Sequence, residues 1–237
     1  MSLPNPKVFL VDDDDSVLRA LGRLIKSAGY DVQTFVSARG FLDSGDFQKG
    51  PACLVLDVRM PGLSGLDLQR ELQAANATLP IIFITGHGDI PTTVRAMKAG
   101  AVDFLPKPLK DAVLLRAIEQ ALARAARDWA ERRKLEALSQ RLNTLTPRER
   151  EVMALVVRGL LNKQIAFELG TVEKTIKVHR ARVMQKMGVD SLAELVRVAD
   201  KITTPSKTKQ LAAEQARNPK FEEKWQRTEI LRRFRNA

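Results

Sequence analysis

The sequence predicts an α/β fold, a doubly wound parallel sheet of five strands, followed by a long helical linker and an all-α unit of four helices. Three observations predict it. Residues 7–118 alternate five times between a short apolar run and a stretch of helical periodicity. From Leu145 onward the pattern is helix after helix, punctuated by glycines. Charge divides the chain in the same way. Residues 1–121 hold 13 Lys/Arg and 14 Asp/Glu, and residues 122–237 hold 26 and 14, so the net charge of +11 resides in the second part. A neutral half joined to a strongly basic one suggests a regulatory or catalytic part and a part that meets a polyanion.

Taken in order, Lys7–Val11 is a short apolar strand. Residues Asp15 to Ala28 place Val17, Leu18, Leu21, Leu24 and Ile25 at helical spacing, and Gly29 stops the helix. Val32 to Val36 reads as the second strand, and Ala38 to Leu42 begins a helix. Cys53 to Asp57 is the third strand, four apolar residues ending on a carboxylate before Pro61-Gly62 turns the chain. Leu66 to Leu72 is helical, Pro80 to Ile84 is strand four, and Thr92 to Ala99 is a helix ended by Gly100. Val102 to Leu105 is strand five, and helix resumes at Leu109. Repeated β-α units imply a parallel sheet with helices on both faces.

Such sheets place their chemistry at the carboxyl ends of the strands, at the switch point between strands one and three. Asp12 and Asp13 follow strand one, Asp57 ends strand three, Thr85 follows strand four, and Lys107-Pro108 follows strand five. Three carboxylates converging on one edge repel one another and call for a positive charge. A hard divalent cation fits oxygen ligands, and Mg²⁺ fits best, because it binds through one or two carboxylates and leaves room for phosphate. Asp14 and Asp15 read as a solvated acidic turn that caps the helix at Ser16.

These residues carry a family resemblance. Val11-Asp12-Asp13, Asp57-Val-Arg-Met-Pro-Gly, Thr85-Gly86 and Lys107-Pro108 resemble the receiver domain of two-component response regulators over residues 7–121. The resemblance implies the strand order 2-1-3-4-5 and a phosphoacceptor at Asp57 served by a partner histidine kinase. It implies Mg²⁺ bound by Asp13, Asp57 and the backbone carbonyl of Arg59, with Asp12 nearby or acting through water. It also implies a Thr85 and Phe104 switch pair, a phosphoryl contact from Lys107, and a cis Lys107-Pro108 bond. The segment Thr85-Gly-His87-Gly-Asp89 recurs in such regulators. We read His87 as loop shape, with its role open.

Residues 109–145 continue the last helix. Ile118, Leu122, Ala125 and Trp129 form an apolar seam, as do Leu135, Leu138, Leu142 and Leu145. Six residues separate Trp129 from Leu135 where seven would hold phase, so a long helix with an interrupted seam is expected over the 122–140 linker rather than a stable coiled coil. At Thr146, Pro147 and Glu149 a strong helix start opens a unit over 141–203. The first helix stops at Gly159. Asn162 is expected to cap the second, which ends at Gly170. The third begins near Thr171 or Val172 and ends at Gly188, and a fourth follows Ser191. The second and third have the layout of a helix-turn-helix. Ile176, Val183 and Met187 should face the core. Lys174, Lys177, Val178, Ala181, Arg182 and Gln185 should face out, where cations meet phosphates and long side chains reach base edges.

Leu145-Thr-Pro-Arg-Glu-Arg-Glu-Val, Asn162-Lys-Gln-Ile-Ala and Thr175-Ile-Lys-Val-His179-Arg-Ala-Arg resemble the LuxR-type DNA-binding domain. With a receiver in front, the whole resembles a response regulator of the NarL/FixJ kind. That implies DNA contacts from Lys174, Thr175, Lys177, Val178, His179, Ala181 and Arg182. It also implies a transcription regulator that dimerises on phosphorylation and binds double-stranded promoter DNA. Val172 departs from the pattern, which usually has Ser there, so the recognition helix lacks its usual side-chain cap. Residues 204–237 lie outside both resemblances and read as a basic tail, partly helical or a polycationic arm.

A haloacid dehalogenase-type phosphohydrolase also uses a strand-end Asp, but that family carries Asp-x-Asp, and Arg59 stands two residues after Asp57. A constitutive DNA-binding regulator with the receiver as scaffold conflicts with the intact set Asp12, Asp13, Asp57, Thr85 and Lys107. No GxxxxGK motif for an ATPase is present. A lone cysteine, no apolar signal segment at the start and no long apolar run fit a cytoplasmic protein with no membrane span. The resemblance to a transcription regulator implies that the chain is not an enzyme.

Overall fold

A computed structural model describes residues 5–86 and 90–203. The basic tail 204–237 and His87 lie outside the described residues. The chain divides into two compact units, the first through Arg132 and the second from Arg133.

The first unit contains β1 (Lys7–Val11), α1 (Asp15–Ser27), β2 (Asp31–Phe35), α2 (Ala38–Ser44) and β3 (Ala52–Asp57). It continues with α3 (Gly65–Ala74), β4 (Ile81–Thr85), α4 (Ile90–Lys98), β5 (Asp103–Pro106) and the first part of α5 (Asp111–Asn143). The five strands pair in parallel in the order β2-β1-β3-β4-β5. Every residue of β3 is buried, which is why its sequence is apolar without alternation from Ala52 to Leu56, up to the closing Asp57. Side chains alternate between two cores. Val8, Leu10, Val55 and Ile82 pack with Ile25 of α1 and Leu114 and Ile118 of α5. Phe9, Leu54, Leu56 and Phe83 pack with Phe41 of α2, Leu68 of α3 and Ala96 of α4. Each of these Val, Leu, Ile and Phe burials contributes about 1.5–3 kcal/mol relative to exposure. The helix starts use short polar caps. Asp14 accepts from the Ser16 N–H at 2.7 Å, and Ser64 from the Asp67 N–H at 3.2 Å.

Helix α5 runs unbroken through the phase interruption between Trp129 and Leu135. Residues 126–134 hold no glycine or proline, so nothing in the backbone breaks there. Leu122 belongs to the first unit's core, while Leu142 packs on the second unit's core.

The second unit adds α6 (Pro147–Val157), α7 (Asn162–Glu168), α8 (Glu173–Met187) and α9 (Leu192–Thr203) around Leu145, Val152, Ile165, Ile176, Val183, Met187 and Leu195. The start of α6 has both bonds of the expected capping box between Thr146 and Glu149. One expected cap is replaced. Asn162 is the first residue of α7 rather than its cap, which is Leu161, and Gln164 Oε1 accepts the Leu161 N–H at 2.8 Å. The Asn162 side chain instead accepts a hydrogen bond from Arg180 of α8 at 3.1 Å. Helix α8 begins after Val172 with no side-chain cap bond, as the missing hydroxyl predicts.

Glu149 has a second task. Its carboxylate, 2% exposed, accepts from Lys186 Nζ of α8 at 2.6 Å and from the Thr146 N–H at 2.9 Å. The hydrogen bond from Lys186, then that from the Thr146 N–H, holds its carboxyl below the ordinary value of 4.5. The folded state therefore binds this proton more weakly than the unfolded chain. The stabilisation is present above pH about 4.5 and is lost as the pH falls through the lower folded-state value. Glu149→Ala should destabilise the second unit by about 2 kcal/mol at pH 7, through the lost cap and the stranded Lys186. The difference should shrink at pH 3, as measured by urea unfolding. An equal difference at both pH values would contradict the assignment.

Among the described residues no helix is long and apolar enough to cross a membrane.

Candidate functional site

The strand register brings the carboxyl ends of β1, β3 and β4 to one edge. Val11 lies beside Leu56, Asp57 beside Ile84, and Thr85 beside Pro106. The next residue after β1 is Asp12, and after β5 it is Lys107. Asp12 and Asp57 are 1% and 5% exposed, whereas Asp13 is exposed. Lys107 Nζ joins the two buried carboxylates, donating to Asp12 Oδ2 at 2.7 Å and to Asp57 Oδ1 at 2.8 Å. The other oxygens are also engaged. Asp12 Oδ1 accepts the Asp14 N–H at 2.9 Å, and Asp57 Oδ2 accepts the Arg59 N–H at 2.6 Å. The Lys107-Pro108 bond is cis, and the Lys107 N–H donates to the Thr85 carbonyl at 2.7 Å.

Two opposing effects set the electrostatics. Burial pushes the Asp12 carboxyl above its ordinary value, against the hydrogen bonds from Lys107 and the Asp14 N–H. Burial also works against the charge of Lys107, but the hydrogen bonds and charges of Asp12 and Asp57 together hold its ammonium above the usual lysine value. The sequence called for a positive charge among these carboxylates. Among the described residues Lys107 supplies it for Asp12 and Asp57.

Gly65, the first residue of α3, packs directly on this site. Its N–H donates to the Val58 carbonyl at 3.0 Å, and a Cβ there would overlap the Asp57 carbonyl oxygen. Thr85 is buried on the face of the sheet that also carries Phe83 and Phe104. The Phe83 and Phe104 rings lie 6.1 Å apart, and Phe104 is half-buried. Thr85 and Phe104 are thus diagonal neighbours on adjacent strands.

In the second unit, α7 and α8 meet through a turn at Gly170. Ile176, Val183 and Met187 of α8 are buried, as the periodicity predicts. Lys174, Lys177, Val178, Ala181, Arg182 and Gln185 are exposed along its outer face. Thr175 and His179 are only half-exposed, and His179 Nδ1 is buried with no hydrogen-bond partner among the described residues. Lys177 pairs with Glu173 at 3.2 Å, an exposed contact of little energetic weight that leaves the lysine able to exchange partners.

Residues 8–119 match the response regulator receiver domain, and residues 143–199 match the bacterial regulatory proteins of the luxR family. Nodulation protein W of Bradyrhizobium diazoefficiens is 52% identical over 193 residues, 81% of this chain and 85% of that protein. The transcriptional regulatory protein FixJ of Azorhizobium caulinodans is 46% identical over 199 residues, 84% of this chain and 92% of that one. The chain is a LuxR-type response regulator. The solved structure of the response regulator StyR, 52% identical, superposes with a TM-score of 0.76 over 84% of this chain and all of that one. This is a family of transcription regulators rather than of enzymes.

Receiver domains generally bind Mg²⁺, and the donors here fit such an ion. They are hard oxygens, and Asp12, Asp13 and Asp57 against Lys107 leave a formal charge of −2 when all are ionised. Among the described residues no group of three His, Cys, Asp or Glu side chains stands ready to hold an ion by itself. Sequence reasoning missed Gly65, the Arg59 N–H bond to Asp57 and the Lys186–Glu149 pair. For Gly65 the only available signal was its place eight residues after the strand-end carboxylate.

Proposed function

We propose that this response regulator is switched by phosphorylation of Asp57 and that the phosphorylated chain binds promoter DNA as a homodimer. A sensor histidine kinase supplies the phosphoryl group. An oxygen of the Asp57 carboxylate forms the new bond to phosphorus as the bond to the donor imidazole nitrogen breaks. Asp13, Asp57 and the Arg59 carbonyl would hold Mg²⁺, with Asp12 alongside or through water; when bound, the ion neutralises charge on the transferring group. Lys107 is the other cationic group, and its bonds to Asp12 and Asp57 are the observation that carries this reading. On phosphorylation its Nζ exchanges a carboxylate for a phosphoryl oxygen. The new charge draws the Thr85 hydroxyl inward, and Phe104, beside it on the same face, follows into the space released.

In the second unit, α8 is the recognition helix. Lys174, Lys177 and Arg182 meet phosphates or base edges, and Val178 and Ala181 lie against the groove wall. Thr175 and His179 stand at the margin of that face. A dimer presents two such helices to two half-sites of double-stranded DNA. The protein acts in the cytoplasm.

The reading is tested by treating the chain with a small phosphodonor and Mg²⁺ and mapping the label by mass spectrometry. Label should fall on Asp57 and be absent from Asp57→Asn. Equal labelling of that variant would place the phosphoacceptor elsewhere.

A further inference from the structure

We propose that Arg141, in the last turn of α5, is a positioning residue for DNA binding that clamps the carboxyl end of the recognition helix. The inference rests on the assignment of α8 as that helix. Arg141 Nη1 donates to the Met187 carbonyl at 3.0 Å. Met187 ends α8, and its carbonyl is one of those a helix leaves without an internal partner. A cation at that end also complements the helix dipole. The guanidinium packs on Gly188, where a Cβ would stand 2.7 Å from Nη1 and 3.1 Å from Cζ. Gly188 has φ of 65°, a left-handed conformation that favours glycine, and a Cβ there would push the Arg141 guanidinium aside.

A second tie acts one residue earlier. Lys186 Nζ donates to the Thr144 carbonyl at 3.0 Å and to Glu149 at 2.6 Å. Leu145 is buried in the same core as Met187. The final turn of α8 is thus fixed to the end of α5 and the start of α6 by two side chains and one packed leucine. Arg182 and Gln185 project from α8 within two turns of this clamp. Reading base edges depends on hydrogen-bond geometry, whereas attraction to the phosphate backbone tolerates small shifts. A helix released at this end should therefore lose sequence discrimination before it loses general affinity.

Arg141 is itself an exposed cation, so its removal must be separated from the loss of a phosphate contact. The test uses the full chain and two duplexes, one selected by the wild-type chain from a random-sequence pool and one of random sequence. Affinity is measured across a salt series. Arg141→Ala should bind the selected duplex about tenfold more weakly and the random duplex within about twofold, with an unchanged salt slope. Arg141→Met, which keeps an unbranched apolar stem and removes the donors, should behave alike and carries the test should the alanine variant fold poorly by circular dichroism. Arg141→Lys should restore part of the loss. A salt slope reduced by about one would make Arg141 a phosphate contact and overturn the proposal. So would unchanged binding, or an equal loss on both duplexes. Arg182→Ala is the control on the underlying assignment. If that variant retains full affinity and slope, α8 is not the recognition helix. If it loses both while the Arg141 variants match wild type, only the clamp falls.

Discussion

Gly65→Ala should disable the receiver more severely than its size suggests. A Cβ at this position meets the backbone carbonyl of Asp57, not the end of a side chain that could turn away. The collision also involves the Leu56 side chain, at 3.1 Å. Relief requires that α3 retreat or that the end of β3 shift, and β3 is held by strands on both sides. Overpacking of this kind costs about 1–3 kcal/mol, and backbone contact places it at the upper end. The functional loss should exceed the loss of stability. Asp57 Oδ2 is tied to the Arg59 N–H and Oδ1 to Lys107 Nζ, so moving the carbonyl moves a carboxylate whose aim depends on both bonds. Phosphoryl uptake from a small donor should fall by about 10²-fold in the fraction that remains folded. A variant with wild-type uptake and a wild-type urea midpoint would show that the packing of α3 on Asp57 does not constrain the site.

Lys107→Met should have the second large effect, on rate and stability together. The methionine keeps most of the stem and removes the charge that joins Asp12 to Asp57. Loss of a positioned cation at a transferring phosphoryl group costs about 10²–10³-fold in rate. The same change leaves two buried carboxylates without their shared counter-charge, which should cost about 1–3 kcal/mol at pH 7 after allowance for the partial exposure of Lys107. The pH dependence gives the sign. Burial already raises the Asp12 value, so protonation relieves the variant as the pH falls, and its deficit against wild type should narrow towards pH 4. In the wild type the Lys107 value is raised above 10.5. Its contribution is full below pH about 10.5 and is lost as the pH climbs through the folded-state value. A deficit that widened on acidification would contradict this electrostatic picture.

The sheet was legible because its strands are covered on both faces. Runs such as Cys53 to Leu56 and Ile81 to Ile84 have one reading as short strands between helical patterns. The candidate site was legible because parallel topology turns strand ends into neighbours, so Asp12, Asp57, Thr85 and Lys107 could be placed on one edge without knowing any contact. What periodicity cannot see is a contact between segments far apart in the chain. Asn162 read as a cap because Asn favours that position, yet its oxygen is taken by Arg180, 18 residues on. Glu149 read as half of a capping box, and nothing local announced Lys186, 37 residues away. Arg141 lies 46 residues before Met187, and no pattern of charge or spacing links them. The seam break after Trp129 was visible, but its outcome was decided by the absence of a helix breaker rather than by the phase of the leucines.

The most direct measurement is DNA affinity and oligomeric state, at one stated salt concentration, with and without a small phosphodonor and Mg²⁺. A switch at Asp57 predicts tighter binding and a shift towards dimer on phosphorylation, both absent in Asp57→Asn. Full phosphate occupancy on Asp57 with neither affinity nor oligomeric state changed would mean that the receiver does not govern DNA binding through either.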